Sequence, residues 1–581
     1  MLGLKVSLKH AEKWKQYIVA NDIIDKDSYY IKDKNFIYFP IKRKFTILIS
    51  KDGSEDISFV EKDFPKSNQK GSLKENLSKT LTKEELSFVK TAHDILGSIG
   101  IVEIPEDLEK REKLIAETLL QINPQIKTVL KKADIHEGVY RTQKMTYLAG
   151  VNTKETIYKE NNVTLKMDVE KVYFSIRLGN ERKRIMQKVL PGEEVLVMFS
   201  GCAPYPVVLS KNTKARHITG IEINPDGHMY GMENLRLNKI HNVLLINDDV
   251  HHAIPILYKK IVGLKSSILK KEIQPAIEEN APIYEIYLCD DGLDDKYIPD
   301  IEKAIVLLKS LGKEVFIHMP HNINGKPLVP NSDKSVNMIK KAGELCKKYF
   351  VSAIVHIADN GINSDEEYIR KLESYYEYFY FENGTDGFNK KEDILKVARK
   401  AGLKNICIDI AHLYITYEDV SKMISTIEAI QREFNTYFHI ADHDKKTHTC
   451  EIGKGLIDFN KVLPLVNKGI IEVFSKDHSN PLEMLRSHER LLQYYSKTYD
   501  RIIMPLPKTA DEFLDDALRV SKKGTIIHFY DFLPESQFDE AVKKIEVACK
   551  KRKLKHKIIE IVKCGQHAPH IFRICVDFEI V

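Results

Sequence analysis

A chain of 581 residues is long enough for several domains, and 43% hydrophobic with 30% charged residues is the composition of a globular protein. The formal net charge of +6 is mild, so charge alone neither requires nor excludes a nucleic-acid partner. The eight cysteines never form a C-x-x-C pair, which is typical of reduced thiols and argues against a disulfide framework. No apolar run approaches the roughly 18 residues of a membrane span, and the N-terminus lacks a signal-like apolar region. We therefore expect a cytoplasmic protein without a membrane partner.

The first part of the chain predicts two small α+β modules joined by a polar linker. Residues 1–65 contain a helix at Ala11–Asn21 and a hairpin at Tyr29–Pro40. Residues 66–80 are rich in Lys and Ser and are interpreted as the linker. A second α+β module over residues 81–170 begins with a capping-box signature.

Two distant segments predict one interrupted nucleotide-binding sheet. Residues 171–264 carry three strand-like runs that end in polar or acidic residues, and residues 499–581 carry a fourth run, Arg501–Pro507. A doubly wound sheet needs that fourth strand, and its ligand lies at the carboxyl ends of the strands. We expect an α/β, Rossmann-like domain that is interrupted by an insertion. The three upstream runs are Glu194–Phe199, Ile218–Asn224 and Val243–Asp249.

Several ordered motifs make a family resemblance specific. They are V-Y-F-S-I-R-L-G-N-E-R-K-R (Val172–Arg184), E-G-V-Y-R (Glu137–Arg141), E-I-N-P (Glu222–Pro225) and the P-L-P-K turn (Pro505–Lys508). With these motifs, the chain resembles the archaeal and eukaryotic tRNA (guanine-37 N1)-methyltransferases over residues 1–262 and 499–581. The resemblance implies that residues 1–65 are a tRNA-binding module and that S-adenosylmethionine (SAM) is the methyl donor. It also implies tRNA as the partner and N1-methylguanosine at tRNA position 37 as the product.

The resemblance also implies the catalytic residues. Methylation of guanine N1 requires removal of a proton, which a carboxylate can accept, and stabilisation of negative charge at O6, which a guanidinium can provide. Glu181 matches the first role and Arg141 the second, although Glu181 taken alone could be an ordinary solvated helix residue. The arginines expected at the nucleotide could equally form a basic helix N-terminus. The matching positions for substrate contact are Tyr173, Arg177, Arg182, Pro505, Pro507 and Lys508.

The expected donor pocket departs from the family pattern. The loop Gly201–Pro206 replaces the usual glycine-rich turn, Val197 stands where the family commonly has Asp, and Pro505 stands where many members have Asn. These changes leave transfer of the aminocarboxypropyl group of SAM open as an alternative, although Glu181 and the P-L-P-K turn favour methyl transfer. Glu222 is the expected acid for the ribose hydroxyls, and Asp248 or Asp249 the acid on the adenine side. The residues expected around the cofactor are Phe199, Gly201, Glu222, Asn224, Asp248 and Asp249.

Regular alternation of strands and helices predicts an inserted TIM (β/α) barrel over residues 283–498, preceded by a charged helical connector at residues 265–279. His, Asp and Glu side chains recur at or just past the predicted strand ends, where the active sites of such barrels lie. Imidazole and carboxylate ligands suit divalent Zn or Mn, so the pattern predicts a site for more than one metal ion. The insertion resembles the endonuclease IV and xylose-isomerase-like barrels. The expected ligands are His318, His356, Glu382, Asp409, His412, His439, His448 and Glu472.

Two features of the insertion leave alternatives open. The Asp-x-His that usually precedes the I-G-K-G turn is replaced by Lys446-Thr447-His448, so His448 fits only with a one-residue slip. The barrel could be a phosphodiesterase for damaged nucleic acid, a sugar isomerase or a silent recognition module. Because insertions are tolerated at exposed loops whose ends are adjacent, we expect Lys265 and Lys497 to lie close together. Replacement of residues 267–497 by a short Gly/Ser linker should then leave a folded protein that binds the donor.

Overall fold

The computed structural model describes residues 1–25, 28–45, 57–65, 71–91, 93–133, 138–267, 281–288, 293–323, 325–359, 361–447, 449–473, 481–491, 494, 497–506 and 509–581. These residues form two compact units, one of residues 1–132 with 146–153 and the other of residues 133–145 with 154–581. No described helix is both long and apolar enough to cross a membrane.

The first unit contains two four-stranded sheets. Its elements are β1 (Leu2–Ser7), α1 (Ala11–Ala20), β2 (Ile31–Lys32), β3 (Phe36–Pro40), β4 (Ile57–Glu61), α2 (Leu73–Leu77), α3 (Lys83–Phe88), β5 (Asp94–Leu96), β6 (Ile99–Val102), α4 (Glu112–Ile122), β7 (Thr128–Lys132) and β8 (Met145–Gly150). The order β2-β3-β1-β4 is antiparallel, and β2 with β3 forms the hairpin predicted from the sequence. The order of the other sheet is β5-β6-β7-β8, with β6 parallel to β7. Each sheet has its own core, to which Trp14 and Ile18 of α1 and Ile115 and Leu119 of α4 contribute.

The second unit begins with a hairpin and the first three strands of a parallel sheet. These strands are apolar runs because both faces of a parallel sheet are covered, and every residue of Glu194–Met198 and His217–Glu222 is buried. The elements are β9 (Glu155–Glu160), β10 (Val163–Asp168), α5 (Gly179–Lys188), β11 (Glu194–Met198), α6 (Pro204–Asn212), β12 (His217–Glu222), α7 (Pro225–Asn238), β13 (Val243–Asn247), α8 (Val250–Ala253) and α9 (Leu257–Ile261).

Eight parallel strands then close into a barrel. The elements of this stretch are β14 (Val262–Ser266), β15 (Ile283–Tyr287), α10 (Ile298–Ser310), β16 (Glu314–His318), β17 (Asn322–Ile323), β18 (Lys326–Pro327), α11 (Asp333–Tyr349), β19 (Ser352–His356), β20 (Ala358–Asp359), β21 (Ile362–Asn363), α12 (Glu366–Arg370), β22 (Phe379–Glu382), α13 (Lys391–Ala401), β23 (Asn405–Asp409), α14 (Ile410–Tyr417), α15 (Val420–Gln431), β24 (Asn435–Ile440), α16 (Phe459–Val462), β25 (Gly469–Ile471) and α17 (Leu482–Arg490). The barrel order is β14-β15-β16-β19-β22-β23-β24-β25, and β25 pairs back to β14 through Gly469 and Val262. The pairs β17-β18 and β20-β21 form small hairpins outside the barrel.

The first barrel strand differs from the prediction. Residues 265–279 were expected to be a helical connector and the barrel to begin near residue 283, whereas β14 places Val262–Ser266 between β15 and β25. Residues 268–279 of the predicted connector lie outside the described residues. This strand is short, and Gly263 interrupts its apolar run. A Cβ at Gly263 would lie 2.1 Å from the carbonyl oxygen of Ile283, so the close approach of β14 to β15 requires glycine.

After the barrel the chain returns to the first sheet. Its last elements are β26 (Tyr499–Met504), α18 (Leu514–Arg519), β27 (Ser521–Pro534), α19 (Phe538–Lys551), β28 (His556–Ala568) and β29 (Ile571–Ile580). The seven-stranded order is β13-β12-β11-β26-β27-β29-β28, with β29 antiparallel to both of its neighbours. β26 runs parallel to β11, with Val195 opposite Arg501 and Val197 opposite Ile503. The predicted fourth strand of the interrupted sheet is therefore confirmed.

The barrel and the sheet share one hydrophobic core. Leu196 and Ile246 of the sheet belong to the same cluster of buried residues as Val262 and Leu264 of β14 and Phe438 of β24. The cluster of buried residues thus continues from one sheet into the other.

Two buried lysines at the amino end of β25 add polar contacts at this junction. Lys468 Nζ lies 2.6 Å from Glu314 Oε1 and donates to the carbonyl oxygen of His241 at 3.0 Å. Lys497 Nζ lies 2.5 Å from Glu194 Oε2 of β11. These contacts join the sheet to the barrel. We therefore expect that the protein does not fold without the barrel, in contrast to the expectation from the sequence.

Replacement of residues 267–497 by a short Gly/Ser linker should give an insoluble chain or one without cooperative unfolding. The replacement removes the barrel residues of the shared core. It also removes Lys497, the partner of Glu194, and breaking such a buried ion pair lowers the free energy of unfolding by about 3–5 kcal/mol. Circular dichroism and thermal unfolding of this variant beside the full chain would measure the effect. A soluble variant with a sharp thermal transition and intact donor binding would contradict the shared core.

Candidate functional site

The strand order of the seven-stranded sheet reverses between β11 and β26. From β11 the chain moves to β12 and β13 on one side, and from β26 it moves to β27 on the other. In open α/β sheets the loops at the carboxyl ends of two such strands diverge and leave a crevice in which ligands bind. Phe199 directly follows β11 and Pro505 directly follows β26, so both predicted residues lie at the crevice. Pro507 and Lys508, also predicted to contact the substrate, lie outside the described residues.

The loop after β11 turns sharply towards α6. Phe199, Gly201 and Ala203 have φ angles of +59°, +58° and +62°, in the left-handed region that glycine tolerates best. The backbone N–H of Gly201 donates to Glu222 Oε2 at 2.6 Å. Ser200 Oγ is buried and makes no hydrogen bond within the described part of the chain. The loop thus brings an acidic side chain and an unsatisfied hydroxyl to the crevice.

Glu222 ends β12 and is 9% exposed. Its Oε1 accepts a hydrogen bond from the backbone N–H of Asn224 at 2.8 Å. Burial raises the pKa of this carboxyl group, although the two backbone N–H donors oppose the shift. Asn224 caps α7 by accepting from the N–H of Asp226 at 3.0 Å, and it donates to the carbonyl oxygen of Lys171 at 2.7 Å. Glu222, Asn224 and Gly201 therefore form one hydrogen-bonded group.

The two acids after β13 lie in different environments. Asp248 Oδ2 lies 2.9 Å from both Lys260 Nζ and His252 Nδ1. Burial raises the pKa of Asp248, but these contacts outweigh burial and leave the pKa below its ordinary value. Asp249 caps α8 by accepting from the N–H of His251 at 2.7 Å. Both predicted cofactor acids thus already have partners within the domain.

An aromatic stack beside the crevice was not predicted. Phe199 meets Phe513 edge-on with 4.7 Å between ring centroids, and Phe513 stacks on His251 at 4.1 Å. His251 Nδ1 in turn lies 2.6 Å from Asp516 Oδ2. The local sequence does not indicate that Phe513 contacts Phe199, because the whole barrel separates the two residues along the chain.

Glu181, the expected base, lies in the first turn of α5 and is 4% exposed. Arg184 donates from Nε to Oε2 and from Nη2 to Oε1, both at 2.7 Å, and the Tyr530 hydroxyl donates to Oε1 at 2.6 Å. Burial raises the pKa of Glu181, but the bonds from Arg184 and Tyr530 outweigh burial and lower it. The carboxylate is therefore ionised at neutral pH, the form that a base needs, yet both of its oxygens are occupied.

Residues from three other elements support Glu181 and were not predicted. Arg184 Nη1 donates to Asp577 Oδ2 of β29 at 2.7 Å. The hydroxyl of Tyr530 on β27 lies 3.2 Å from that of Tyr205, in the first turn of α6. Glu181 is thus connected, through the two tyrosines, to the loop after β11.

Arg141 is half-buried and has a φ of +51°. Its Nη2 donates to Thr509 Oγ1 at 3.2 Å. Burial lowers the pKa of the Arg141 guanidinium. Tyr173 opposes this shift, and the positive charge of Arg573 adds to it. The Tyr173 hydroxyl accepts from Arg573 Nη2 at 3.0 Å. The predicted residues Arg141 and Tyr173 thus lie near the same arginine.

The two predicted substrate arginines beside Glu181 differ in their surroundings. Arg177 is exposed. Arg182 is 1% exposed; its Nε and Nη2 both donate to the Glu160 carboxylate, and Nη2 also donates to the carbonyl oxygen of Ser175 at 3.1 Å. The contact of Arg182 with the nucleotide stays a prediction, since this buried ion pair holds its guanidinium inside the domain in the structure without tRNA.

Four predicted metal ligands converge at the carboxyl ends of the barrel strands. Glu382, Asp409, His439 and Glu472 can each place a ligand atom within 4.8 Å of the others. His439 Nδ1 lies 3.2 Å from Glu382 Oε1 and 2.6 Å from Glu472 Oε2, although the second contact lacks hydrogen-bond geometry. Glu382 Oε2 and Glu472 Oε2 are buried and accept no hydrogen bond from the described residues. Buried carboxylate oxygens are costly without a cation or donor, so this arrangement fits a metal ion.

The remaining predicted ligands lie at the same end of the barrel. His318 and His356 form a group with His321, whose ligand atoms also lie within 4.8 Å of one another. His321 was not predicted, although it follows directly in the run H-M-P-H. His412 on α14 forms a hydrogen bond through Nδ1 with a backbone carbonyl oxygen at 2.7 Å. His448 lies outside the described residues.

Two residues of β14 and β15 complete this cluster and were not predicted. Glu285 is fully buried, with Oε1 2.7 Å from His318 Nδ1 and Oε2 3.1 Å from His439 Nε2. Lys265 Nζ lies 2.5 Å from Glu472 Oε1. Glu285 could have been predicted, because it is an isolated acid in the strand-like run I-Y-E-I-Y. Lys265 could not, because its segment was not recognised as a strand.

Arg182→Ala should lower the free energy of unfolding by about 3–5 kcal/mol, because it leaves the buried Glu160 carboxylate without its cation. Urea unfolding followed by circular dichroism measures this change. Arg177→Ala is the matched control and should change the free energy by less than about 0.5 kcal/mol. A stable Arg182→Ala protein that loses only tRNA binding would instead support the predicted contact of Arg182 with the nucleotide.

Comparisons with known proteins match both halves of the interrupted sheet to one family. The TRM5/TYW2 methyltransferase domain matches residues 156–263 and 480–559. The TYW2 N-terminal domain matches residues 73–153, and the tRNA methyltransferase 5 N-terminal domain matches residues 3–49. The two matched parts of the methyltransferase domain flank residues 264–479, which contain most of the barrel.

Three archaeal proteins are similar in sequence to parts of this chain. The chain is 34% identical over 249 residues to the tRNA (guanine(37)-N(1))-methyltransferase Trm5b of Pyrococcus abyssi, covering 43% of this chain and 72% of that protein. It is 33% identical over 257 residues to Trm5b of Methanocaldococcus jannaschii, covering 43% and 75%. Identity to the tRNA (guanine(37)-N(1))/4-demethylwyosine(37)-methyltransferase Taw22 of Nanoarchaeum equitans is 34% over 204 residues, covering 35% and 66%. The chain therefore belongs to the TRM5/TYW2 family of tRNA methyltransferases.

Proposed function

We propose that the chain is a SAM-dependent tRNA methyltransferase that forms N1-methylguanosine at position 37 of tRNA. The observation that carries this proposal is the hydrogen-bonded group of Gly201, Glu222 and Asn224, at the crevice of a sheet whose two halves match the family's methyltransferase domain. The activity is named in the two Trm5b relatives, of which the chain covers more than two thirds. tRNA is accordingly the proposed partner.

The crevice has the chemistry that SAM requires. Glu222 offers a buried carboxylate to the ribose hydroxyls, and Ser200 Oγ has a hydrogen bond still to make within the described structure. Phe199 and Phe513 supply apolar surface for an adenine ring. Asp248 is the weaker candidate, because Lys260 already neutralises it. SAM supplies the electrophilic methyl group when bound.

In this proposal Glu181 accepts the N1 proton of guanine, and Arg141 stabilises the negative charge that develops at O6. The lowered pKa keeps Glu181 ionised, but Arg184 and Tyr530 occupy its oxygens. One of these bonds must lengthen when guanine enters, because a carboxylate that is 4% exposed cannot otherwise reach the substrate. Tyr173 and the exposed Arg177 are the proposed nucleotide contacts.

Two neighbouring reactions are the alternatives. The Nanoarchaeum equitans relative is named for 4-demethylwyosine as well as guanine, so the acceptor base is one variable. The transferred group is the other, because the loop Gly201–Pro206 departs from the family pattern. Mass spectrometry of nucleosides from tRNA incubated with protein and SAM separates the reactions. N1-methylguanosine would support the proposal, whereas an aminocarboxypropyl adduct or a methylated wyosine-type base alone would refute it.

Glu181→Gln should slow the chemical step by about 10²–10⁴-fold, the usual effect of losing a general base, with little change in tRNA affinity. Single-turnover methylation at saturating tRNA and SAM measures this step. Glu233→Gln on α7 is the matched control and should leave the rate unchanged, because its carboxylate pairs with the neighbouring Arg236. A normal single-turnover rate for Glu181→Gln would remove Glu181 from the mechanism.

A second proposal concerns the barrel: we infer that it is a TIM barrel of the endonuclease IV and xylose-isomerase type that binds Zn or Mn. It is supported by the parallel closed sheet with helices between its strands and by the buried cluster at the carboxyl ends. Glu382, Asp409, His439 and Glu472 would hold an ion, with the unsatisfied oxygens of Glu382 and Glu472 as the specific sign. A bound ion would supply Lewis-acid chemistry. A nucleic-acid phosphodiester, including damaged nucleic acid, is the first substrate class to test, and a sugar the second.

The division into domains follows from these two proposals. Residues 1–65 and 81–170 are the N-terminal modules, and residues 171–264 with 499–581 form the methyltransferase domain. Because β14 closes the barrel assigned to residues 283–498, its upstream boundary moves to Val262, and the first part of the methyltransferase domain ends at Ile261 instead of residue 264.

Glu382→Gln should remove at least half of the metal bound per chain, because the amide keeps only one weaker ligand oxygen. Metal analysis after incubation with Zn or Mn and desalting measures this loss. Glu344→Gln on α11 makes the same chemical change on an exposed side chain and should leave the metal content unchanged. Wild-type protein that holds no metal after either incubation would contradict the metal site and leave the barrel as a binding module.

A further inference from the structure

We propose that Lys265 acts as a built-in cation in the barrel and occupies a position that a further divalent ion would otherwise fill. That position is formed by Glu285, His318 and His439. The inference rests on the metal-binding barrel proposed above. It adds a distinction between the buried residues that bind metal and those that bind Lys265.

The three residues make a complete set of ligands. Their ligand atoms lie within 4.8 Å of one another, and all three side chains are fully buried. Glu285 Oε1 lies 2.7 Å from His318 Nδ1, and Glu285 Oε2 lies 3.1 Å from His439 Nε2. One carboxylate with two imidazoles is a donor set typical of zinc sites. By composition alone, these residues would therefore bind a metal ion.

The ammonium group of Lys265 already lies beside two of these three residues, His318 and Glu285. Its Nζ is 2.8 Å from His318 Nδ1 and 3.4 Å from Glu285 Oε1. It is also 2.5 Å from Glu472 Oε1. A zinc ion needs its ligands at about 2.0–2.2 Å, so it cannot share the space with a second positive charge at these distances.

The unsatisfied oxygens lie on the other side of the cluster. Glu382 Oε2 and Glu472 Oε2 accept no hydrogen bond among the described residues, although His356 Nδ1 lies 3.4 Å from the first and His439 Nδ1 2.6 Å from the second. Both oxygens of Glu285, in contrast, are hydrogen-bonded, to His318 Nδ1 and to His439 Nε2. The two oxygens of Glu472 face different positions. Oε1 contacts Lys265, and Oε2 lies towards Glu382 and His439. The cation Lys265 therefore lies on the Glu285 side of the cluster, and the carboxylate oxygens without a hydrogen bond lie on the Glu382 side.

The side chain of Lys265 has little freedom to leave. It is 2% exposed, and β14 is paired on both sides, to β15 and to β25. Moving the ammonium group out would leave Glu285 and Glu472 without their cation in a buried site, which is unfavourable. The lysine is therefore a permanent occupant and not a side chain that metal displaces.

The first test uses the wild-type background. Glu285→Gln should leave the number of zinc ions bound per chain unchanged, because in this proposal no ion uses Glu285. Glu382→Gln, measured alongside, should lose at least half of the bound zinc. A Glu285→Gln protein that loses one zinc ion per chain would overturn the proposal.

The second test removes the lysine. Lys265→Met should bind one more zinc ion per chain than the wild type, and Lys265→Met with Glu285→Gln should lose that additional ion. Lys265→Arg, which keeps the positive charge, should match the wild type. Lys468→Met is the matched control, because it removes another buried lysine at the opposite end of the barrel and should leave the zinc count unchanged.

Metal analysis of desalted protein with a cooperative thermal transition gives the readout in each case. A Lys265→Met protein that binds no more zinc than the wild type would overturn the role of Lys265. If the wild type itself binds zinc in that case, the metal site survives and only this inference fails. If neither protein binds zinc, the metal-binding barrel fails as well. Should Lys265→Met not fold, the Glu285→Gln measurement decides the question.

Discussion

The structure depends on the pairing of β11 with β26, two strands that the whole barrel separates along the chain. Arg501 on β26 is buried and reaches Glu193 with Nε at 2.8 Å and Nη2 at 2.9 Å, and Asp500 accepts from the backbone N–H of Glu194 at 2.8 Å. This pairing completes the sheet and creates the crevice where the strand order reverses. It also brings Phe513 back to Phe199. Without it, the residues proposed to bind the donor would belong to two unconnected pieces.

The insertion is joined to its host more closely than an exposed domain would be. A domain inserted in a surface loop has a polar boundary and a separate core. Here the cores merge, and Lys468 and Lys497 bury their charges at the junction. Each buried ammonium needs its carboxylate and carbonyl partners, so the relative placement of barrel and sheet is constrained by specific contacts as well as by apolar packing.

Both candidate sites contain networks of buried charged residues. In each network, some charged residues pair with other residues of the protein and are therefore not available to a ligand. Arg182 and Asp249 have the residue types expected of ligand contacts, yet Arg182 neutralises Glu160 and Asp249 caps a helix. Glu181 is held by Arg184, and Lys265 is held by Glu472. In a low-dielectric interior an unpaired charge is expensive, so most buried charges are paired within the protein. Several buried polar atoms of the described residues make no hydrogen bond, and two of them, Glu382 Oε2 and Ser200 Oγ, lie at the two proposed sites.

The sequence by itself determined the strands of the interrupted sheet and the strand-end acids and histidines of the barrel, because burial on both faces and strand length leave local patterns. The run R-I-I-M was recognisable as the strand that continues a sheet begun far upstream. Only the tertiary structure decided that V-G-L-K-S closes the barrel, that Lys265 lies among the predicted ligands and that Arg182 is buried against Glu160. Periodicity and residue type record whether a position is buried. They do not record which distant side chain it meets, and in both sites that partner decides whether a charged group is paired within the protein or left to bind a ligand.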